Sequence, residues 1–96
     1  MKLNDKTILV TGANRGIGKA LVEALLKKDV KRVYAAARKT SSLPSFGDIR
    51  VVPLELDMTN DAQVRNAADI ATDTDLLINN AGVLSYGSLL TAQKAA

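Results

Sequence analysis

Thr11-Gly12-Ala13-Asn14-Arg15-Gly16-Ile17-Gly18 is the stretch that decides how this chain folds. It follows an apolar, β-prone run, Thr7-Ile8-Leu9-Val10, and leads into an amphipathic run that begins at Ile17. A strand that stops in glycines and resumes as a helix has three uses for them. They allow a tight turn at positive φ, a close approach of backbone to a ligand, and close packing of helix on strand. The first N–H groups of such a helix have no internal partners and lie at the positive end of its dipole, so the turn suits a phosphate.

The spacing separates this turn from other glycine loops. G-x-G-x-x-G is not met, because Asn14 stands where the second glycine would fall. G-x-x-x-x-G-K-[ST] is not met either; Gly18-Lys19 imitates its end, but Ala13 and Ala20 occupy two required positions. What is present is T-G-x-x-x-G-I-G, which resembles the cofactor loop of the short-chain dehydrogenase/reductase family. A strand–helix turn without a ligand is the alternative.

Composition bounds the rest. A chain of 96 residues makes one small domain at most. With 47% hydrophobic and 3% aromatic residues it reads as globular α/β material. Cysteine and histidine are both absent, which removes disulfides, thiol nucleophiles and the commonest general base and metal ligand. The start Met-Lys-Leu-Asn-Asp-Lys is too polar for a signal peptide, and no apolar run approaches membrane-spanning length. A cytoplasmic protein without a membrane partner is the expectation. The net charge of +3 divides into +6 through Asp48 and −3 after it. Lys19, Glu23 and Lys27 form opposite-sign i,i+4 pairs on one helix face, and aromatic interleaving is missing, so the basic half reads as solvated surface rather than a nucleic-acid site.

Taken in order, the chain reads as alternating strands and helices. Residues 7–11 form a buried strand, and a helix follows from Gly16 to Lys28 with Ile17, Leu21, Ala24, Leu25 and Lys28 as one stripe. Arg32–Ala37 is the second strand, which completes a βαβ unit. Residues 39–48 are too broken for a crossover helix, and a single turn is expected near Ser42–Phe46. Ile49–Leu56 is the third strand; Pro53 cannot donate to a ladder, which places it at the sheet edge. Thr59 is the expected N-cap of a helix from Asn60 to Ala71, with Val64, Ala67, Ala68 and Ala71 inward. Leu76–Asn79 is the fourth strand, and the tail from Val83 is weakly patterned. The pattern predicts an α/β fold, a Rossmann-like doubly wound parallel sheet, incomplete, in the order 3-2-1-4.

In such a sheet the ligand crevice opens at the carboxyl ends of strands one and four, where the winding reverses. Gly12, Asn14, Arg15, Gly16, Ile17 and Gly18 lie at one wall, and Asn79-Asn80-Ala81-Gly82 at the other. Asn-Asn-Ala-Gly is the second motif of the family this chain resembles, where the first asparagine supports the loop and the backbone lines the cofactor ribose. That implies Asn79, Ala81 and Gly82 as contacts; an ordinary Asn-Gly turn is the alternative. Asp57, followed by Met58 and Thr59, matches a third motif, in which the acid recognises the adenine ring and the next residue lies alongside. That Asp57 merely caps the following helix is the alternative, and both roles can hold at once.

The second strand ends in Ala37-Arg38-Lys39, without an acid nearby. An acid there would accept from the 2′-hydroxyl of NAD, whereas an arginine pairs with the 2′-phosphate of NADP. Arg38, with Arg15 from the glycine loop, therefore predicts NADP(H) over NAD. Two solvated loop arginines are the alternative.

The resemblance runs from the first strand to Gly82 and implies an oxidoreductase that reduces a carbonyl or oxidises an alcohol, a homo-oligomer when complete. The family's catalytic Ser and Tyr-x-x-x-Lys have no counterpart here: Tyr34 leads to Arg38, Tyr86 leads to Leu90, and Ser85 and Ser88 fall too early. Residues 1–96 thus resemble the amino-terminal, cofactor-binding part of the domain, expected to be inactive alone. A non-catalytic NADP-binding module and a fold that binds nothing are the rival readings.

Overall fold

A computed structural model of the chain describes residues 2–80. Its elements follow in the order β1 (Thr7–Val10), α1 (Gly16–Leu26), β2 (Arg32–Ala37), a 3-10 turn (Thr40–Ser42), β3 (Val51–Glu55), α2 (Asp61–Ile70) and β4 (Leu76–Ile78). The four strands form one parallel sheet in the order β3-β2-β1-β4. The strand order matches the expectation, and Pro53, paired with Ala35, sits on the outer strand where its missing N–H costs no ladder bond.

The pleat sorts the strand side chains into two cores, one on each face. Ile8, Val10, Val33 and Ala35 pack with Val22 and Leu25 of α1. Leu9, Tyr34, Ala36, Leu54 and Leu56 pack with Ala67 and Ala71 at α2. Burial on both faces explains why β1 and β2 read as near-continuous apolar runs.

Several local expectations are corrected. The inward stripe of α1 is Gly18, Val22 and Leu25, while Ile17 is 69% exposed and Ala24 and Lys28 face solvent. Leu25 is buried and Leu21 packs against the same core, as expected, while Gly18 lets the start of the helix lie against the Gly12 turn and Asn80. The helix ends at Leu26 rather than Lys28. Asn60, not Thr59, caps α2, its side chain accepting from the Gln63 N–H at 3.1 Å; the Thr59 hydroxyl is taken by Asp57 instead. Ala68 is exposed, so the inward face of α2 reduces to Val64, Ala67 and Ala71. The third strand starts at Val51, leaving Ile49 wholly exposed, and the turn after β2 falls at Thr40–Ser42, ahead of its expected place.

With no crossover helix between β2 and β3, Leu43 and Phe46 of the connecting loop cover the α1-side core. Arg50 holds that connection in place. Its guanidinium donates to the carbonyls of Leu26 (2.6 Å), Lys28 (2.9 Å) and Val30 (3.3 Å) and to both carboxylate oxygens of Asp48. One cation thereby satisfies open carbonyls at the end of α1, where the dipole is negative, and ties them to the entry of β3. On the opposite face the buried Tyr34 hydroxyl and Arg32 share the carboxylate of Asp73, each at 2.7 Å.

Candidate functional site

β1 and β4 are parallel neighbours at the centre and one side of the described sheet, so the crevice at their carboxyl ends is formed by the chain after Val10 and the chain after Ile78. Thr11 joins the two walls. Its backbone N–H donates to the Ile78 carbonyl (3.0 Å), its hydroxyl donates to Asn79 Oδ1 (2.8 Å), and the same hydroxyl accepts from the Asn80 N–H (2.8 Å). Thr11 is 1% exposed, so these bonds form away from water. The first asparagine of Asn79-Asn80 thus braces the glycine turn through its side chain. Sequence reasoning passed over Thr11 itself; its place between a buried strand and the first glycine was the only clue.

Gly12 turns the chain at φ +62°. The Ala13 N–H then donates to the Ala36 carbonyl at 3.0 Å, which lays the loop across the end of β2. Arg15 is extended, and α1 begins without a side-chain cap and without an acid in its first turn. The open N–H groups and the positive dipole end therefore meet no protein carboxylate there. A Cβ built at Gly16, where φ is +59°, would meet nothing within 4 Å, so the mouth of the turn is open space. At Gly18 the reverse holds: a Cβ would overlap the Gly12 carbonyl oxygen and come within 2.8 Å of Asn80 Nδ2. The turn is closed against the protein and open toward the crevice.

The remaining expected residues gather around the same sheet end. Arg38 follows β2 and Arg15 stands in the loop; both are exposed, and neither forms an ion pair among the described residues. Asp57 follows β3, half-buried, with Met58 beside it at 40% exposure. Asp57 Oδ1 accepts from the Thr59 hydroxyl (2.6 Å) and the Thr59 N–H (2.9 Å), and Oδ2 carries no hydrogen bond among the described residues. Those Thr59 hydrogen bonds, hydroxyl first, hold the carboxyl below its usual range, with a smaller contribution from the Arg38 charge. It is thus an ionised acceptor with one oxygen to spare. Asn14 and Ile17 complete the turn, and Ala81 and Gly82 lie outside the described residues. Among the described residues no group of acids could hold a metal ion, and no helix is long and apolar enough to cross a membrane.

Comparison with known proteins accords with this arrangement. The short chain dehydrogenase family matches residues 6–96. The short chain dehydrogenase/reductase dpchH of Colletotrichum higginsianum is 39% identical over 94% of this chain and 26% of its own length. A crystal structure of a short chain dehydrogenase from Burkholderia cenocepacia J2315, in complex with NADP, superposes with a TM-score of 0.80 at 49% identity, covering 84% of this chain and 34% of that one. A short chain dehydrogenase/reductase from Burkholderia phymatum, in complex with NAD, shares the fold alone, at 24% identity and a TM-score of 0.71 over 80% of this chain and 31% of that one. The chain therefore spans between a quarter and about a third of the length of these proteins. With the sheet order, the glycine turn and the match over residues 6–96 in agreement, the chain belongs to the short chain dehydrogenase family.

Proposed function

We propose that this chain is the NADP(H)-binding part of an oxidoreductase that reduces a carbonyl or oxidises an alcohol. The observation that carries the reading is the end of β2. Arg38 stands there exposed, in no ion pair among the described residues though its charge reaches the Asp57 carboxylate, on the side of the turn where Ala13 is bonded to β2. The nucleotide's 2′-phosphate finds there a planar, permanently charged donor, with Arg15 as a second. The NADP complex at 49% identity supports the same choice, while the NAD complex on a similar fold means that side chains, not the sheet, must decide it.

The other parts of the nucleotide divide among this chain's residues by chemistry. The pyrophosphate suits the uncapped start of α1 and the open mouth at Gly16. The adenine amine suits Asp57 Oδ2, with Met58 alongside. The ribose suits the backbone that follows β4, at Asn79 and at Ala81 and Gly82. When bound, the nicotinamide supplies the hydride-transfer chemistry. The proton exchange that accompanies it needs an acid–base group, and the family's Tyr-x-x-x-Lys does not occur in these 96 residues. The chain accordingly binds without turning over.

Fluorescence titration with NADPH and NADH tests the reading. The expected outcome is tighter binding of NADPH by about 10-fold or more, the scale of one charge-assisted contact. Arg38→Asp replaces attraction with repulsion and should abolish or reverse the preference. Equal affinities in the unmutated chain would refute the NADP assignment, and no binding of either nucleotide would leave only the fold.

A further inference from the structure

We propose that Gln63, in the first turn of α2, is a positioning residue for the adenine end of the nucleotide, acting through Asp57. The inference rests on the proposed role of Asp57 and adds the residue that sets its place.

β3 is an outer strand among the described residues. The Leu56 N–H donates to the Ala37 carbonyl of β2 at 2.9 Å, and successive N–H groups of a strand point to opposite edges. The next one, that of Asp57, therefore points away from the sheet, where no described strand receives it. Gln63 receives it instead: its Oε1 accepts from the Asp57 N–H at 2.8 Å. The other end of the same amide is also engaged, Nε2 donating to Glu55 Oε1 at 3.3 Å. The Gln63 backbone N–H meanwhile donates to the capping Asn60 at 3.1 Å. The half-buried glutamine is thus anchored in the helix start and grips the strand end on both sides of Leu56.

Asp57 is consequently held at three points. Gln63 receives its main-chain N–H, its carbonyl accepts from the Asn60 N–H at 2.9 Å, and Thr59 sets the rotation of its carboxylate through Oδ1. What remains is one oxygen, Oδ2, at a determined place. Without Gln63 the N–H would turn to water at an exposed edge, which the fold tolerates. The aim of Oδ2 would not survive, because the strand end could then swing.

The test uses the chain with NADPH and its hypoxanthine analogue, in which an oxo group replaces the adenine amine that Asp57 would accept from. The unmutated chain should prefer NADPH by about 10-fold, the effect of one charge-assisted hydrogen bond, and Asp57→Ala should remove that preference. Gln63→Met should cut it to about two- or threefold while leaving the NADPH-over-NADH preference and the cooperative melt intact. A general loss of structure would instead reduce both preferences together. If Asp57→Ala loses the base preference but Gln63→Met keeps it whole, the inference is overturned and the reading of Asp57 stands. If the unmutated chain does not distinguish the two bases, both fall. Should Gln63→Met lose its cooperative melt, Glu55→Ala carries the test, since it frees the other end of the amide by changing an exposed side chain. An unchanged base preference there overturns the inference.

Discussion

Replacing Gly18 with alanine sets two effects of opposite sign against each other. Alanine in place of glycine inside a helix ordinarily stabilises by about 1 kcal/mol. Here the added Cβ would stand 2.7 Å from the Gly12 carbonyl carbon, closer still to its oxygen, and 2.8 Å from Asn80 Nδ2. Relaxed carbon contacts lie at about 3.5–4.0 Å, so α1 must retreat from the turn by about 1 Å. The obstacle is backbone, itself held at both ends by the bonds of Thr11 and Ala13, and cannot give way. Retreat also lifts Val22 and Leu25, both buried, off the sheet. Overpacking of this kind costs ~1–3 kcal/mol, and the rigid neighbour puts Gly18 near the upper end. The steric effect wins, and Gly18→Ala should lose about 1–2 kcal/mol net, with Gly18→Val losing more. Urea unfolding followed by circular dichroism reads the stability, and NADPH titration of the same samples reads the displacement of the helix N-terminus. A Gly18→Ala chain as stable as the original, or more so, would show that the helix is free to shift and that the close approach has no structural role.

Three further outcomes follow from the same contacts. Thr11→Val keeps the shape but removes the hydroxyl that serves Asn79 and Asn80, so it should cost about 1–3 kcal/mol in urea unfolding and weaken NADPH binding, whereas Thr11→Ser should restore both. Asp48 is held at about 2 by hydrogen bonds from Arg50, so its contribution is present at pH values above its unfolded value of about 4 and is lost as the pH falls toward 2. Asp48→Ala should therefore melt earlier than the original at pH 7, with the gap closing in acid; a gap that persists unchanged at pH 2 would contradict the pairing. β4 is outermost among the described residues and Leu77 is 55% exposed, so the purified 96-residue chain should self-associate in sedimentation, and a lone monomer would count against an open edge there.

The strand order, and the meeting of the glycine turn with Asn79 at one end of the sheet, could be read from the sequence because local signals mark where each element stops. Glycines after an apolar strand, Pro53 in a strand and Asn-Gly punctuation act within a few residues. The inward face of α1 could not be read in the same way. Periodicity alone admits Ile17 and Ala24, whereas the structure turns Gly18, Val22 and Leu25 inward, with Gly18 against Gly12 and Asn80. The capping of α2 was misplaced by one residue because Thr59 and Asn60 are both good caps, and the competition was settled by Asp57, which takes the threonine. Arg50 and Gln63 left no trace in the pattern: besides the side chains of Asp48 and Glu55, they bind backbone groups that any residue would present. Arg50 reaches carbonyls 20 to 24 residues away.

The bond between Thr11 and Asn79 also makes the crevice depend on two distant parts of the chain. The two residues are 68 positions apart, whereas β1 and β2 begin pairing at Thr7 with Arg32. β1, α1, β2 and β3 can collapse together as soon as the chain reaches Glu55, but at that stage the crevice has only one wall. Closing the longer loop adds only about 1 kcal/mol of entropy over the shorter one, yet it requires β4 to arrive. Without β4 the crevice therefore has its glycine turn but not its second wall. A nucleotide that touches both walls binds only after β4 has docked, and by mass action it then holds β4 against departure. A docked β4 and a nucleotide bound across both walls would then stabilise one another.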